Sequence, residues 1–271
     1  MASTSVGSSL SDADKIRLFV ETRRSDPNVQ GRITRNVDPR TEKFSRELFW
    51  SRLIGCLLTT QQKSGPKSAV ARFMENDPFL LTLKTCDCTD AEAVVHKILV
   101  DFGGLRFTTK LAKQVQSNLE RLDNGGWPEV ENQFNELRVQ KARNPQESDY
   151  LNERLAAHCI DELFVGIGPK QSRNLWQWLG LTRYEIPIDS RVAVWINSQN
   201  LSFSIDKKRL GGSIYYESRL DLIRTLCAEA GCLPCVLDAA IFWPASSAES
   251  SMGATSDQHL SVEEIDRTGR N

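Results

Sequence analysis

The sequence predicts an all-α protein. Apolar residues recur at three- and four-residue spacing along most of the chain, and capping residues or Gly/Pro stops separate those runs. Alternating strand patterns are scarce, and "LSFSI" and "SIYY" are too short to build a sheet. Ser11 is placed to cap a first helix over "SDADKIRLFVETRR", with Ile16, Phe19 and Val20 on one face. A polar loop with Asn28, Gly31, Asp38 and Pro39 follows. "TEKFSRELFWSRLIGCLLTTQQ" reads as a second, stronger helix, with Phe44, Leu48, Phe49, Leu53 and Leu57 at helical spacing. "GPKSAVARFMEN" is a third, with Gly65-Pro66 at its start. "TDAEAVVHKILVDFG" is a fourth, capped by Thr89 or Asp90 and stopped by Gly103-Gly104. "TTKLAKQVQSNLERL" ends at "DNGGWP", and the next helix starts at Pro128. "SDYLNERLAAHCIDELF", "KQSRNLWQWLG", "DSRVAVWINSQ", "ESRLDLIRTLCAEAG" and "PCVLDAAIFW" complete the folded part. Residues 1–10 and those after Pro244 are Ser-rich and aperiodic, which predicts disorder at both ends.

Composition bounds the functional class. The 271 residues are 40% hydrophobic and 25% charged, an ordinary globular balance with chain enough for one large or two small domains. A net charge of -1 excludes a globally basic protein, so a nucleic-acid partner needs a local basic face. Residues 166–224 carry nine Lys or Arg against five Asp or Glu, while residues 246–271 carry two against five. No apolar run approaches the roughly 20 residues of a membrane span. The start lacks a secretory pattern, and the seven unevenly spaced cysteines read as reduced thiols. The expected setting is the cytoplasm, nucleoid-associated if bacterial, with no membrane.

The stretch "FVGIGPKQSRNLWQWLGLTRYEIPIDSRV" carries the chemistry. Gly166 and Gly168 lie between two helices, where they allow positive φ and close backbone approach. Gly168, Pro169 and Lys170 open a helix, and the unpartnered N–H groups of a helix mouth attract anions. The plainer reading is an αα turn with a glycine cap. Lys170 sits where the helix dipole disfavours a cation, an environment expected to lower its pKa and supply an amine for Schiff-base chemistry. A solvated, phosphate-contacting lysine is the alternative. Asp189, nineteen residues later, follows Pro187-Ile188 and opens "SRVAVWIN", so it is at least an N-cap, and a capped carboxylate is rigid and ionised. Arg191 is placed either for phosphate contact or on a solvated helix face. Trp176, Trp178, Trp195, Phe242 and Trp243 are candidates for stacking on a base, each with a core reading as well. Asp238 could accept hydrogen bonds from a base or brace a helix.

These residues together resemble the helix-hairpin-helix DNA glycosylase superfamily, in its lysine-bearing glycosylase/lyase branch. Gly166-Ile167-Gly168-Pro169-Lys170 is similar to that family's Gly-hydrophobic-Gly-x-Lys hairpin, and Ile186-Pro187-Ile188-Asp189 to its apolar-Pro-apolar-Asp. The nineteen-residue spacing fits the 8-oxoguanine glycosylase pattern. "LIGCLLTTQQKS" resembles the early helix whose glutamine fills the gap left by an extruded base: Gln61, with Gln62 as rival. "FGGLRFTTKLAKQV" resembles the helix preceding the hairpin, and "VLDAAIFW" the closing helix, whose Asp238 and Phe242 match base-pocket positions. The resemblance covers about residues 45–243. The chain departs from the family at Pro169, at Gln171-Ser172, and in a long 123–149 stretch. Cys227, Cys232 and Cys235 sit where some relatives hold an iron–sulfur cluster, but C-x4-C-x2-C with no fourth cysteine predicts neither a cluster nor zinc.

The resemblance implies two helical subdomains, residues 11–44 plus 183–244 and residues 45–182, with the hairpin at their junction and a DNA/base cleft between them. It implies base excision by a monomer on double-stranded DNA carrying a damaged or modified base, 8-oxoguanine first among them. The base is flipped out, Lys170 attacks C1′, and Asp189 balances the charge on the sugar. No metal or cofactor enters the chemistry, although hairpin carbonyls in the family can hold a monovalent cation. Two other functions stay open: a glycosylase for another modified or hypermodified base, and a non-catalytic hairpin protein that grips the DNA backbone.

Overall fold

The computed structural model describes residues 10–40, 42–60, 62 and 67–242. Gln61, Gly65-Pro66, Trp243 and the two Ser-rich ends lie outside the described residues. The protein is all-α, and no strand occurs among the described residues. In chain order the helices are α1 (Asp12–Arg23), α2 (Pro27–Arg32), α3 (Arg46–Leu58), α4 (Ala69–Met74), α5 (Leu83–Cys86), α6 (Ala91–Phe102) and α7 (Thr108–Arg121). They continue with α8 (Trp127–Lys141), α9 (Asp149–Leu163), α10 (Pro169–Trp178), α11 (Ser190–Ser198), α12 (Ser213–Ala230) and α13 (Pro234–Phe242).

Local chemistry accounts for the helix starts. Ser11, Ser45, Ser68, Asp90 and Asp189 each accept a backbone N–H of the first turn through the side chain. Ser45 and Ser68 thus set the starts of α3 and α4 later than the apolar pattern placed them. α2 forms where a polar loop was expected, because Asp26 caps it and Pro27 fixes its first φ. "SIYY" is the first turn of α12, not a strand.

Buried side chains form two cores. The first gathers α3, α4, α6, α7, α8, α9 and α10 around Phe49, Trp50, Leu53, Val130, Ile160 and Trp176. Phe44, Phe49, Trp127 and Phe134 meet there edge-on or tilted at 5–7 Å. The second joins the chain's two ends: Ile16 and Val20 of α1, Val29 of α2, Val192 and Ile196 of α11, Leu220 and Ile223 of α12, and Leu237 of α13.

The junction between the cores is polar. Segment 179–189 passes from one core to the other and is held by buried polar side chains. Glu153 on α9 accepts the backbone N–H groups of Arg183, Tyr184 and Glu185 at 2.7–2.9 Å. Arg183 donates to the Lys141 and Arg143 carbonyls, and Lys141 Nζ to those of Arg35 and Arg40. Asn36 Nδ2 reaches the carbonyls of Gln177 and Thr182. These bonds fix the approach of the chain to Asp189. Among the described residues no single helix is long and apolar enough to cross a membrane.

Candidate active site

The glycine turn between α9 and α10 is held from behind by α7. Buried Asn118 receives Val165 N–H at 2.7 Å and donates to Val165 O at 3.1 Å, so one amide holds both backbone groups of the same residue. Arg121 donates to Leu163 O at 2.7 Å. Gly166 has φ +84°, and a Cβ there would lie 2.1 Å from Gln114 Nε2. Gly168 is different. Its backbone is extended (φ -128°, ψ -173°), and among the described residues a Cβ would meet no atom within 4 Å beyond its own chain neighbours. Folding therefore explains Gly166 and leaves Gly168 open toward space that a partner can approach.

Lys170 lies half-buried in the first turn of α10. Its charge pulls the Cys56 thiol of α3 downward against burial, which pushes that thiol up to about 12. Lys170 is thus within electrostatic reach of α3. One residue on, Gln171 Nε2 donates to Thr59 and Thr60 Oγ at 3.1 and 3.2 Å, fixing α10 to the end of α3 from which Gln61 and Gln62 follow.

Asp189 is the N-cap of α11 and accepts Arg191 N–H at 2.8 Å and Val192 N–H at 3.1 Å. Its position is coupled to the lysine helix. Arg173, one turn below Lys170, donates from Nε to Glu185 at 2.8 Å and from Nη1 to Pro169 O at 3.0 Å. Its guanidinium also lies over the Tyr216 ring, 4.8 Å from the centroid. Tyr216 Oη accepts Ile188 N–H at 2.5 Å and donates to Ile186 O at 3.2 Å. Arg154 completes the frame between Glu185 and Asp221, at 2.8 and 2.7 Å. A buried network therefore runs from the first turn of α10 to the residue before Asp189.

Chain comparisons with family models, curated proteins and solved structures returned no match.

Around Asp189 the structure gathers Arg191, Phe242, Asp238 and Arg32. Arg191 pairs with the Asp189 carboxylate, Nε to Oδ2 at 2.9 Å, and lies over the Phe242 ring, 3.8 Å from its centroid. Asp238 is buried and accepts from Arg32 Nη1 at 2.7 Å. Burial raises its carboxyl above the ordinary range, Arg32 and Arg191 pull it down, and Asp189 pushes it up.

Several expectations change. Arg191 is expected either against a phosphate or on a solvated helix face. Instead its guanidinium turns inward, because Asp189 and the Phe242 face together outcompete solvent. Trp176 was expected near a base pocket. It is fully buried in the first core, with Nε1 donating to Ala156 O at 2.8 Å, and has no face left for a base. Gln62 was the rival gap filler, but its amide donates to Leu58 O at 2.6 Å and accepts Arg106 N–H at 2.9 Å, stitching α3 to the loop before α7. Gln61 lies outside the described residues. Trp178 is core, and Trp195 packs on Phe19 at 4.4 Å. Among the described residues no group of three His, Cys, Asp or Glu is placed to hold a metal ion.

Sequence reasoning missed Arg32, Asn118, Arg173 and Tyr216. Arg32 and Asp238 are separated by 206 positions, so no local pattern could pair them. It also missed Phe107, exposed and left-handed (φ +61°) at the start of α7, with Arg106 over its ring at 4.8 Å. A left-handed backbone at a bulky residue has no sequence signature.

Proposed function

We propose that the protein is a base-excision DNA repair enzyme, a DNA glycosylase with AP lyase activity that works through Lys170. The observation carrying this reading is the buried Arg173–Glu185–Tyr216 network, which couples the helix bearing Lys170 to the segment bearing Asp189. A structural lysine and a helix cap need no such common frame. An amine and a carboxylate that must work on one sugar do.

In this reading the duplex backbone lies against the glycine turn, with Gly168 leaving room for a phosphate at the mouth of α10. The damaged nucleotide, an oxidised purine such as 8-oxoguanine, leaves the stack because C1′ is unreachable within it. Lys170 Nζ attacks C1′, the N-glycosidic bond breaks, and the base departs with the bonding pair. Ring opening then gives a Schiff base between Nζ and C1′. Loss of a C2′ proton and cleavage of the C3′–O bond nick the strand by β-elimination. Asp189 balances positive charge developing on the sugar. Phe242 and the Arg32–Asp238 pair border the space beside Asp189 and are the base-side candidates.

The test is borohydride trapping on 8-oxoguanine and abasic duplexes. The wild type is expected to form a covalent adduct that Lys170→Ala lacks, and Asp189→Asn to slow base release with duplex affinity largely kept. No adduct with either duplex, or an undiminished adduct from Lys170→Ala, would remove the catalytic assignment. Duplex binding that survives without any adduct would favour a non-catalytic hairpin protein.

A further inference from the structure

An open groove of about 790 Å³ lies at the start of α12, well along the chain from the glycine turn, and is lined by Lys208, Arg209, Gly212, Ser213, Tyr215 and Arg219. Tyr215 forms its shelf. Arg209 and Arg219 both lie over the ring, at 4.3 and 5.0 Å from its centroid, and Tyr215 Oη accepts Asp206 N–H at 2.7 Å. Lys207 and Lys208 stand exposed on the turn leading into the groove. Within residues 207–219 the one acidic side chain is Glu217, and it points elsewhere, to His158 at 2.9 Å and toward Arg173. None of Lys207, Lys208, Arg209 and Arg219 forms an ion pair with a carboxylate among the described residues. Arg219 is anchored by Ser204 O at 3.2 Å, so its charge is held at the groove with no ion-pair partner among the described residues.

Four cations fall within thirteen residues of a chain of net charge -1, none ion-paired among the described residues, with Asp206 the one carboxylate on the turn leading in. The groove is open along its length, which suits a polymer passing through better than an enclosed small molecule. Its floor also belongs to the helix that positions the candidate site, since Tyr216, next to Tyr215, binds Ile186 and Ile188 just ahead of Asp189.

We propose that this groove binds the phosphodiester backbone of the duplex beside the nucleotide presented to Lys170, as a second contact separate from the glycine turn. The proposal rests on the DNA reading above. Lys207, Lys208 and Arg209 supply screened, sequence-independent attraction, and Arg219 with Tyr215 fixes the register of the strand.

The experiment compares the wild type with a triple Lys207→Gln/Lys208→Gln/Arg209→Gln variant on duplexes carrying an uncleavable abasic analogue. Binding is read by fluorescence anisotropy over a salt series, with duplexes shortened from one side or the other. Three lost phosphate contacts at about 0.9 each make the salt slope shallower by roughly 2.7. Between about 50 and 200 mM salt the variant therefore loses roughly forty-fold less affinity than the wild type. The difference is expected to vanish when the duplex is shortened from one side only, and adduct yield at saturating enzyme to stay unchanged. Duplex is also expected to protect Lys207 and Lys208 of the wild type from acetylation by an N-hydroxysuccinimide ester. Equal salt slopes, or equal acetylation with and without duplex, would overturn the groove while leaving a trapped Lys170 adduct, and so the function, intact. Absence of wild-type binding to every duplex would overturn both. Wild-type binding to phosphatidylserine vesicles that the triple variant loses, with duplex binding unaltered, would assign the groove to a membrane surface instead.

Discussion

Two glycines one residue apart separate folding from function most cleanly. At Gly166 the backbone is left-handed, and an alanine there is strained even if Gln114 swings away. Gly166→Ala is expected to lower unfolding free energy by about 1–2 kcal/mol, measured by urea denaturation. At Gly168 the backbone is extended and a methyl group meets no atom of the described residues beyond its chain neighbours. Gly168→Ala is expected to leave stability within about 0.5 kcal/mol while weakening duplex binding, because the methyl occupies the space a phosphate needs. Equal affinity for DNA in Gly168→Ala and the wild type would show that the backbone does not approach there. The sequence could mark both glycines, since their meaning is local. It could not separate them, because only the fold shows what stands opposite each Cβ. The same blindness explains Arg191 and Gln62, whose chemistry was legible and whose partners were not.

Among the elements, the short 186–189 segment matters more than its length suggests. Ile188 N–H is buried and bonded to Tyr216 Oη, and α12 thereby sets where Asp189 begins α11. Tyr216→Phe removes that acceptor and leaves a buried N–H without a partner, at a cost of about 1–3 kcal/mol. Asp189 then loses its fixed position relative to α10, so adduct formation is expected to slow while duplex affinity holds. Single-turnover trapping against anisotropy checks this, and parallel loss of both would make Tyr216 a general structural residue. Helix periodicity identified α12 only from Glu217 onward, since "SIYY" carries β-favouring residues that tertiary packing overrides. α2 escaped notice for a related reason: Asn28 and Gly31 are turn formers, and its one buried apolar residue, Val29, finds its partners at the far end of the chain. The glycine turn between α9 and α10 was readable because its signals lie within a few residues of each other.

At the scale of the whole molecule, Glu153 joins the two cores, and its environment gives a pH dependence with a definite sign. The carboxyl is fully buried on α9 and receives three N–H groups from the segment that crosses between the cores. Burial raises it from 4.5 to about 8, with the nearby Glu185 charge adding to the rise and the three N–H groups opposing it. Between about 4.5 and 8 the folded protein therefore holds a proton that the unfolded chain has released, and stability falls as pH rises. This contribution is complete below about 4.5 and is lost as pH climbs through about 8. Glu153→Gln stays uncharged throughout but turns an NH2 toward backbone donors, so it starts less stable, by about 1–3 kcal/mol. Urea midpoints of the two proteins are expected to converge from pH 5 to pH 8, the wild type falling relative to the variant. A gap that stays constant from pH 5 to pH 8 would mean that the three N–H groups outweigh burial and keep Glu153 ionised in the folded protein. The crossing segment would then be held by a buried anion.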